Sequence, residues 1–271
     1  MTATNKAVRD SHKRCIVSVA NGIPYMRWQR DTEQSLEAVG EPATRLFWNG
    51  AYPPGCPSHA AAPFAFKYYA LKEAYRQGYE QVMWLDATVL ARVALQPIWD
   101  QIAGEGYMFV PSGLWLGNWC SDRALSLFGL PREEAFGIPC VAGCVFGLSY
   151  ARPEGCQLLE GIREFTFQGA MQGPHIDERY RHMDWSDFPS ISIGFVSADS
   201  GVYGHSHDEA VFAALLHMLG LPLASAFELV FAGPARRGCV RVCSTGQELL
   251  QLQGCRDRAQ RIQASLHRAV A

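Results

Sequence analysis

Short apolar runs that each stop at a polar or glycine-bearing turn, with helix-compatible segments between them, constrain this chain more than any other feature. Cys15–Ala20 (CIVSVA) is β-branched and ends in Asn21-Gly22, which reads as a buried strand closed by a turn. Thr44–Trp48 is a second short strand, followed by the turn-rich NGAYPPGCPSH. Val82–Leu85 (VMWL) is a third, and it stops on a single carboxylate, Asp86. Tyr107–Val110, Cys140–Ser149 and Phe227–Phe231 read as further strands. Helical spacing covers Gln29–Val39, Phe64–Gln77 with Gly78 beyond its end, Pro97–Ala103, Ser121–Phe128, about 153–167, His207–Leu219, and the tail Thr245–Ala269. Strands alternating with helices predict an α/β fold with a mostly parallel central sheet covered by helices on both faces. Ligands of such sheets sit beyond the carboxyl ends of the strands, which selects Asn21, Gly22 and Asp86.

The 271 residues, 48% hydrophobic and 18% charged, suffice for one sizeable core. No repeat or linker divides them. The organisation expected is a disordered or extended segment over 1–14, a main domain over 15–243 that holds an active-site insert at 168–204, and a C-terminal helix over 244–271. A net charge of −2 and a pI near 6.4 advertise no polyanionic partner, although local basic patches stay open. The polar start MTATNKAVRDSHKR has no secretory apolar core, and no run approaches the roughly 18–20 apolar residues of a membrane span, so the expected location is cytoplasmic. The nine cysteines are then mainly buried small hydrophobes. CVAGC (Cys140, Cys144) and CVRVC (Cys239, Cys243) read as strands, in which i and i+4 lie ~13 Å apart, rather than as zinc knuckles.

GxGxxG, GxxxxGK[ST], GxSxG and HExxH are all absent, which argues against dinucleotide-binding, P-loop, nucleophile-elbow and zincin chemistry. What remains is distributed: Asp86 after a strand, Gly143 in an apolar run, and GHSHDEAV opening a helix. Carboxylate and imidazole together suit a divalent cation that neutralises a diphosphate leaving group, with Asp86 and His207 as ligands. Asp208 is the candidate for contacting sugar hydroxyls or acting as base, and His205 lies beside it; the plainer reading is that Asp208 and Glu209 complement a helix N-terminus. Lys67, amid aromatics, reads equally as a phosphate contact or a snorkelling surface lysine. Trp115, Trp119 and Arg123 in WLGNWCSDR offer stacking faces and a phosphate-binding guanidinium, or else structural packing. Asp184, Trp185 and Asp187 are candidates for an acceptor site, and Arg236 and Arg237 read as a solvated basic turn.

The order of these segments resembles the GT-A class of nucleotide-sugar glycosyltransferases. VSVANG is similar to the first strand, whose end meets the nucleotide base, and FKYYALKEAYRQGYEQVMWLDATVL to the helix and strand that lead into the DxD motif. VAGCVFGLS and HDEAVFAALL resemble the small-residue strand and the acidic helix start of family-eight-like enzymes. PFAFKYYALKEA, WLDAT, GNWCSDRALSLFGL, REEAFGIP and GHSHDEA together resemble uncharacterised bacterial and phage glycosyltransferase-like proteins. The resemblance spans most of residues 15–235 and makes 15–243 a GT-A-like catalytic domain. It implies transfer of a sugar, with retention, from a nucleoside diphosphate (UDP favoured) to an acceptor hydroxyl on a glycan, a small molecule or a hydroxymethylated DNA base. It implies a Mn or Mg ion at Asp86, and a donor site formed by Asn21, Gly22, Lys67, Asp86, Thr88, Gly143 and Arg123. One departure stands out: Thr88 occupies the place of the last acid of DxD. The alternatives are then a weaker cation site, recruitment of His207, or replacement of the ion by Lys67. A sugar-nucleotide nucleotidyltransferase, which would want more glycine and basic charge after the first strand than VANGIPYMRWQR has, is a second class. A non-catalytic nucleotide-sugar-binding module is a third.

Overall fold

The computed structural model describes residues 13–183, 192–223 and 240–242. Its centre is a five-stranded sheet in the order β2-β1-β3-β8-β5, made of β1 (Arg14–Ala20), β2 (Thr44–Asn49), β3 (Gln81–Leu85), β5 (Tyr107–Met108) and β8 (Val145–Ser149). β2, β1 and β3 are parallel, whereas β8 runs antiparallel to both β3 and β5. The sheet is thus mainly parallel with one reversed strand.

Period-two alternation sends successive side chains of each strand to opposite faces. Cys15, Val17, Val19, Val82, Trp84, Phe146 and Leu148 pack under α2 (Ala65–Arg76), α6 (Pro153–Gln168) and α7 (Asp208–Met218). Ile16, Met83, Leu85 and Val145 pack on the other face with Leu36 of α1 (Ile23–Ala38) and Ile98, Trp99 and Ile102 of α3 (Gln96–Glu105). Helices therefore cover both faces. The expected first helix starts six residues earlier than its periodicity, because Pro24 suits a first turn while Ile23 and Tyr25 remain exposed.

One correction concerns Cys140–Ser149. This run is not a single strand: Pro139–Val141 (β7) pairs with Pro111–Trp115 (β6), the chain turns through 142–144, and β8 then begins. The turn brings Gly143 to the carboxyl edge of β3, where the Asp86 amide donates to the Cys144 carbonyl at 2.9 Å. The strand-spaced reading of CVAGC fails for the same reason. Val240–Val242 (β11) pairs antiparallel with Val89–Ala91 (β4), as CVRVC suggested. Within 168–204, Ile176–Asp177 (β9) pairs with Ile193–Gly194 (β10), and Ile176, Tyr180 and Tyr203 form a small cluster of their own. The expected strand at Phe227–Phe231, the tail helix and Arg236-Arg237 lie outside the described residues. Among the described residues, no helix is long and apolar enough to cross a membrane.

Candidate functional site

Three other segments meet the carboxyl edge of β3: the start of α2, the turn at Gly143 and the start of α7. Lys67 lies in the first turn of α2 and is buried at 3% exposure, so its ammonium must be neutralised where it sits. Its Nζ donates to Asp208 Oδ2 at 2.6 Å and to the Gly143 carbonyl at 2.7 Å, and lies 3.6 Å from Asp86 Oδ1. The same ammonium faces the rings of Trp84 and Phe64, at 5.2 and 5.9 Å. Burial alone would pull the Lys67 pKa down, but the negative charges of Asp208 and Asp86 outweigh it and raise it further.

The two aspartates differ in access. Asp208 keeps 5% of its side-chain surface, whereas Asp86 keeps 35% although protein surrounds it closely. Asp86 therefore forms the open floor of the cluster and Asp208 stands behind it. Desolvation raises the Asp86 pKa against the pull of Lys67, and the indole N–H of Trp84 donates to its Oδ1 at 2.7 Å. Glu209 is a fourth member. Its Oε1 accepts from the Gly143 amide at 2.9 Å, and desolvation together with the charge of Asp208 pushes its pKa up to about 8. The raised pKa favours the protonated form of Glu209 at neutral pH.

Gly143 is required by space rather than by backbone angle. A Cβ there would lie 2.5 Å from Asp208 Oδ2 and 3.1 Å from Lys67 Nζ. Both helix starts are also unusual. Phe64 (φ 59°) precedes α2 and His207 (φ 52°) precedes α7; they are the only non-glycine residues with positive φ among the described residues. Their rings stack at 5.0 Å, tying together the two helix ends that present Lys67 and Asp208. Backbone strain of this kind persists only where the surroundings impose it.

His207 Nδ1 donates to the Met171 carbonyl at 2.9 Å, while Nε2 is buried without a hydrogen-bond partner. His175 packs edge-on against it at 4.0 Å and is lowered to about 4 by burial and by His207. His205 is a satisfied core residue: Nε2 meets the Ala170 carbonyl at 3.0 Å, Nδ1 accepts from the Ser121 amide at 3.5 Å, and burial lowers its pKa to about 3.

Of the sequence candidates, Lys67, Asp86, Gly143 and Asp208 meet in one cluster, with His207 at its border. Asn21 and Gly22 are exposed and lie at the end of β1, on the same sheet edge. Thr88 sits half-buried in the turn closed by the Val89 amide on the Asp86 carbonyl at 3.0 Å. Arg123 is not brought to the cluster; its guanidinium donates to Gln172 at 3.2 Å. Trp115 is 42% exposed on β6, and the Trp119 carbonyl accepts from the Ser206 amide at 2.9 Å, which makes Trp119 a brace for the loop before His207. Asp184, Trp185 and Asp187 lie outside the described residues. Sequence reasoning missed Trp84 and Glu209 as members of the site. Trp84 stands two residues before Asp86, and so on the same side of the strand, which was an available signal.

A divalent ion needs several hard donors converging on one point. Among the described residues, no three His, Cys, Asp or Glu side chains converge to hold one. Asp86 and Asp208 are instead directed at the Lys67 ammonium, and His207 Nε2 is sealed from solvent. This donor set does not fit a divalent ion.

No family model and no curated relative match the chain. Solved structures similar to it include a glycosyltransferase involved in glycosylation of the major capsid of PBCV-1, at 14% identity and TM-score 0.35, covering 65% of this chain and 71% of that one. A second is the galactosyltransferase LgtC, in complex with donor and acceptor sugar analogues, at 15% identity and TM-score 0.32, covering 57% and 66%. A third is mouse xyloside xylosyltransferase 1, at 10% identity and TM-score 0.40, covering 79% and 86%. All three structural neighbours are thus glycosyltransferases by description.

Proposed function

We propose that this chain is a glycosyltransferase that moves a sugar from a nucleoside diphosphate, with uridine the favoured base, to an acceptor hydroxyl. The observation that carries the reading is the cluster itself: Lys67 joins Asp86 to Asp208 beside a side-chain-free Gly143, at the carboxyl edge of a mainly parallel sheet. Carboxylates accept hydrogen bonds from vicinal sugar hydroxyls, and Asp86, with 35% of its side-chain surface exposed, is open to such a contact. Trp84 donates to Asp86 and fixes its rotamer, while the Lys67 ammonium lies 3.6 Å from Asp86 Oδ1 and donates to Asp208 Oδ2 at 2.6 Å.

In the reaction, the bond between the anomeric carbon and the diphosphate oxygen breaks, and the electron pair leaves with the diphosphate. The acceptor oxygen forms the new bond, and its proton passes to a carboxylate. Asp86 is the exposed one; Asp208 acts through Lys67. The acceptor class is a hydroxyl of a glycan, a small molecule or a hydroxymethylated base.

The test is release of free nucleotide from a panel of UDP- and GDP-sugars, followed by ion-exchange chromatography, with Mn²⁺, with Mg²⁺ and with EDTA. At least one donor should be turned over, and Asp86→Ala should reduce the rate by ~10²-fold or more while keeping the melting temperature. Absence of both turnover and donor binding in every arm refutes the function. Full turnover by Asp86→Ala refutes the role of that residue.

A further inference from the structure

We propose that the cation of this site is covalently part of the chain: the Lys67 ammonium holds Asp86 and Asp208 where a divalent ion would otherwise bind, so donor binding and turnover need no metal. The inference rests on the transferase reading for its donor, and on the cluster geometry for its content.

The geometry is that of a filled position. Lys67 Nζ donates to Asp208 Oδ2 at 2.6 Å and to the Gly143 carbonyl at 2.7 Å, and pairs with Asp86 Oδ1 at the ion-pair distance of 3.6 Å. A metal entering between the aspartates would have to displace a lysine that is only 3% exposed and has no solvent to retreat into. Displacement would leave that ammonium buried and unpaired, which is heavily penalised. Two further features point the same way. Thr88 offers a neutral hydroxyl where the sequence pattern led to a second acid, and hard cations prefer carboxylate oxygen. The nearby imidazole, His207, has Nδ1 committed to the Met171 carbonyl, while Phe64 stacks on its ring and its Nε2 is closed to solvent.

The experiment has one arm without donor and one with it. The purified full chain is titrated with Mn²⁺ while the free-ion electron paramagnetic resonance signal is followed, and Lys67→Met is titrated in parallel. Wild type should leave the Mn²⁺ signal undiminished at tens of micromolar protein. Lys67→Met, with its two aspartates freed, should capture Mn²⁺. Stoichiometric uptake by wild type at micromolar concentration overturns the proposal. In the second arm, affinity for the best UDP-sugar is measured in EDTA and in Mn²⁺. Values within twofold support the proposal, and a tenfold or greater loss in EDTA overturns it. If Lys67→Met does not fold, both wild-type arms still decide the matter. If no donor binds in either buffer, the transferase reading falls, while the Mn²⁺ titration still tests the lysine.

Discussion

Gly143→Ala isolates the packing of the cluster from its chemistry, since it adds one methyl group and no charge. The new Cβ would sit 2.5 Å from Asp208 Oδ2, 3.1 Å from Lys67 Nζ and 3.2 Å from Glu209 Cγ, whereas ordinary contact begins at 3.4 Å. Something must move by roughly 0.9 Å, and the group closest is the carboxylate oxygen that Lys67 holds at 2.6 Å. Misplacement of about 1 Å at a reacting centre costs on the order of 10²-fold in rate. Overpacking of this kind costs about 1–3 kcal/mol of stability. For a chain of this size, that is a fall in Tm of roughly 4–8 °C per 2 kcal/mol. Nucleotide-release kinetics at saturating and limiting donor, with differential scanning calorimetry alongside, measure both. Gly104→Ala is the matched control, because a Cβ there meets nothing within 4 Å and the residue lies in helix α3. It should leave kcat/KM unchanged and raise stability slightly. If Gly143→Ala turned over donor within twofold of wild type at unchanged Tm, the close approach of Lys67 and Asp208 at this edge would be refuted.

Two desolvated imidazoles set an acid limit. His205 (about 3) and His175 (about 4) stay neutral in the fold, whereas the unfolded chain protonates them near pH 6.5, so stability is full above that pH and falls as pH drops toward 4. His205 alone is worth roughly 2–4 kcal/mol over that window. Urea melts between pH 7.5 and 4.5 should show the loss and His205→Gln should flatten it; an equal slope in the variant removes His205 as the cause. Trp84→Phe keeps the apolar ring but deletes the N–H that donates to Asp86, and should weaken donor affinity about tenfold, as expected for one charged hydrogen bond. Donor titration by calorimetry checks it, and an unchanged Kd counts against the contact. Asp177→Ala removes the acceptor of the Val196 and Ser197 amides and of the Arg179 guanidinium, costing about 2–4 kcal/mol in a chemical melt. A variant as stable as wild type would show that these donors find other partners.

Much of the scaffold was legible because it rests on local pattern. β1, β2 and β3 follow their apolar runs closely, and α2, α3, α6 and α7 follow the helical spacing, because burial on one or both faces dictates both signals. The break at Gly143 was not legible. CVAGCVFGLS is apolar on either side of the glycine, and the turn is imposed by side chains that arrive from residues 67 and 208. Lys67 was ambiguous for a related reason: helical periodicity cannot tell a lysine that snorkels outward from one that is buried against two carboxylates. Glu209 looked like an ordinary first-turn acid, and only the proximity of the Gly143 amide and Asp208 gives it a raised pKa. Trp84 was legible as core and illegible as a donor, since its ring and its N–H serve different neighbours.

The Lys67 cluster also bears on how the chain reaches its fold. Its bonds join residues 76, 141 and 66 positions apart: Lys67 to Gly143, Lys67 to Asp208, and Gly143 to Glu209. Contacts that close such long loops form late, after local helices and hairpins. A chain that has brought Lys67 against the sheet without α7, or α7 without α2, buries a charge that nothing answers, and such compact misassemblies are raised in energy. The residues assigned to chemistry thus serve as a checksum on threading: only the complete topology cancels them.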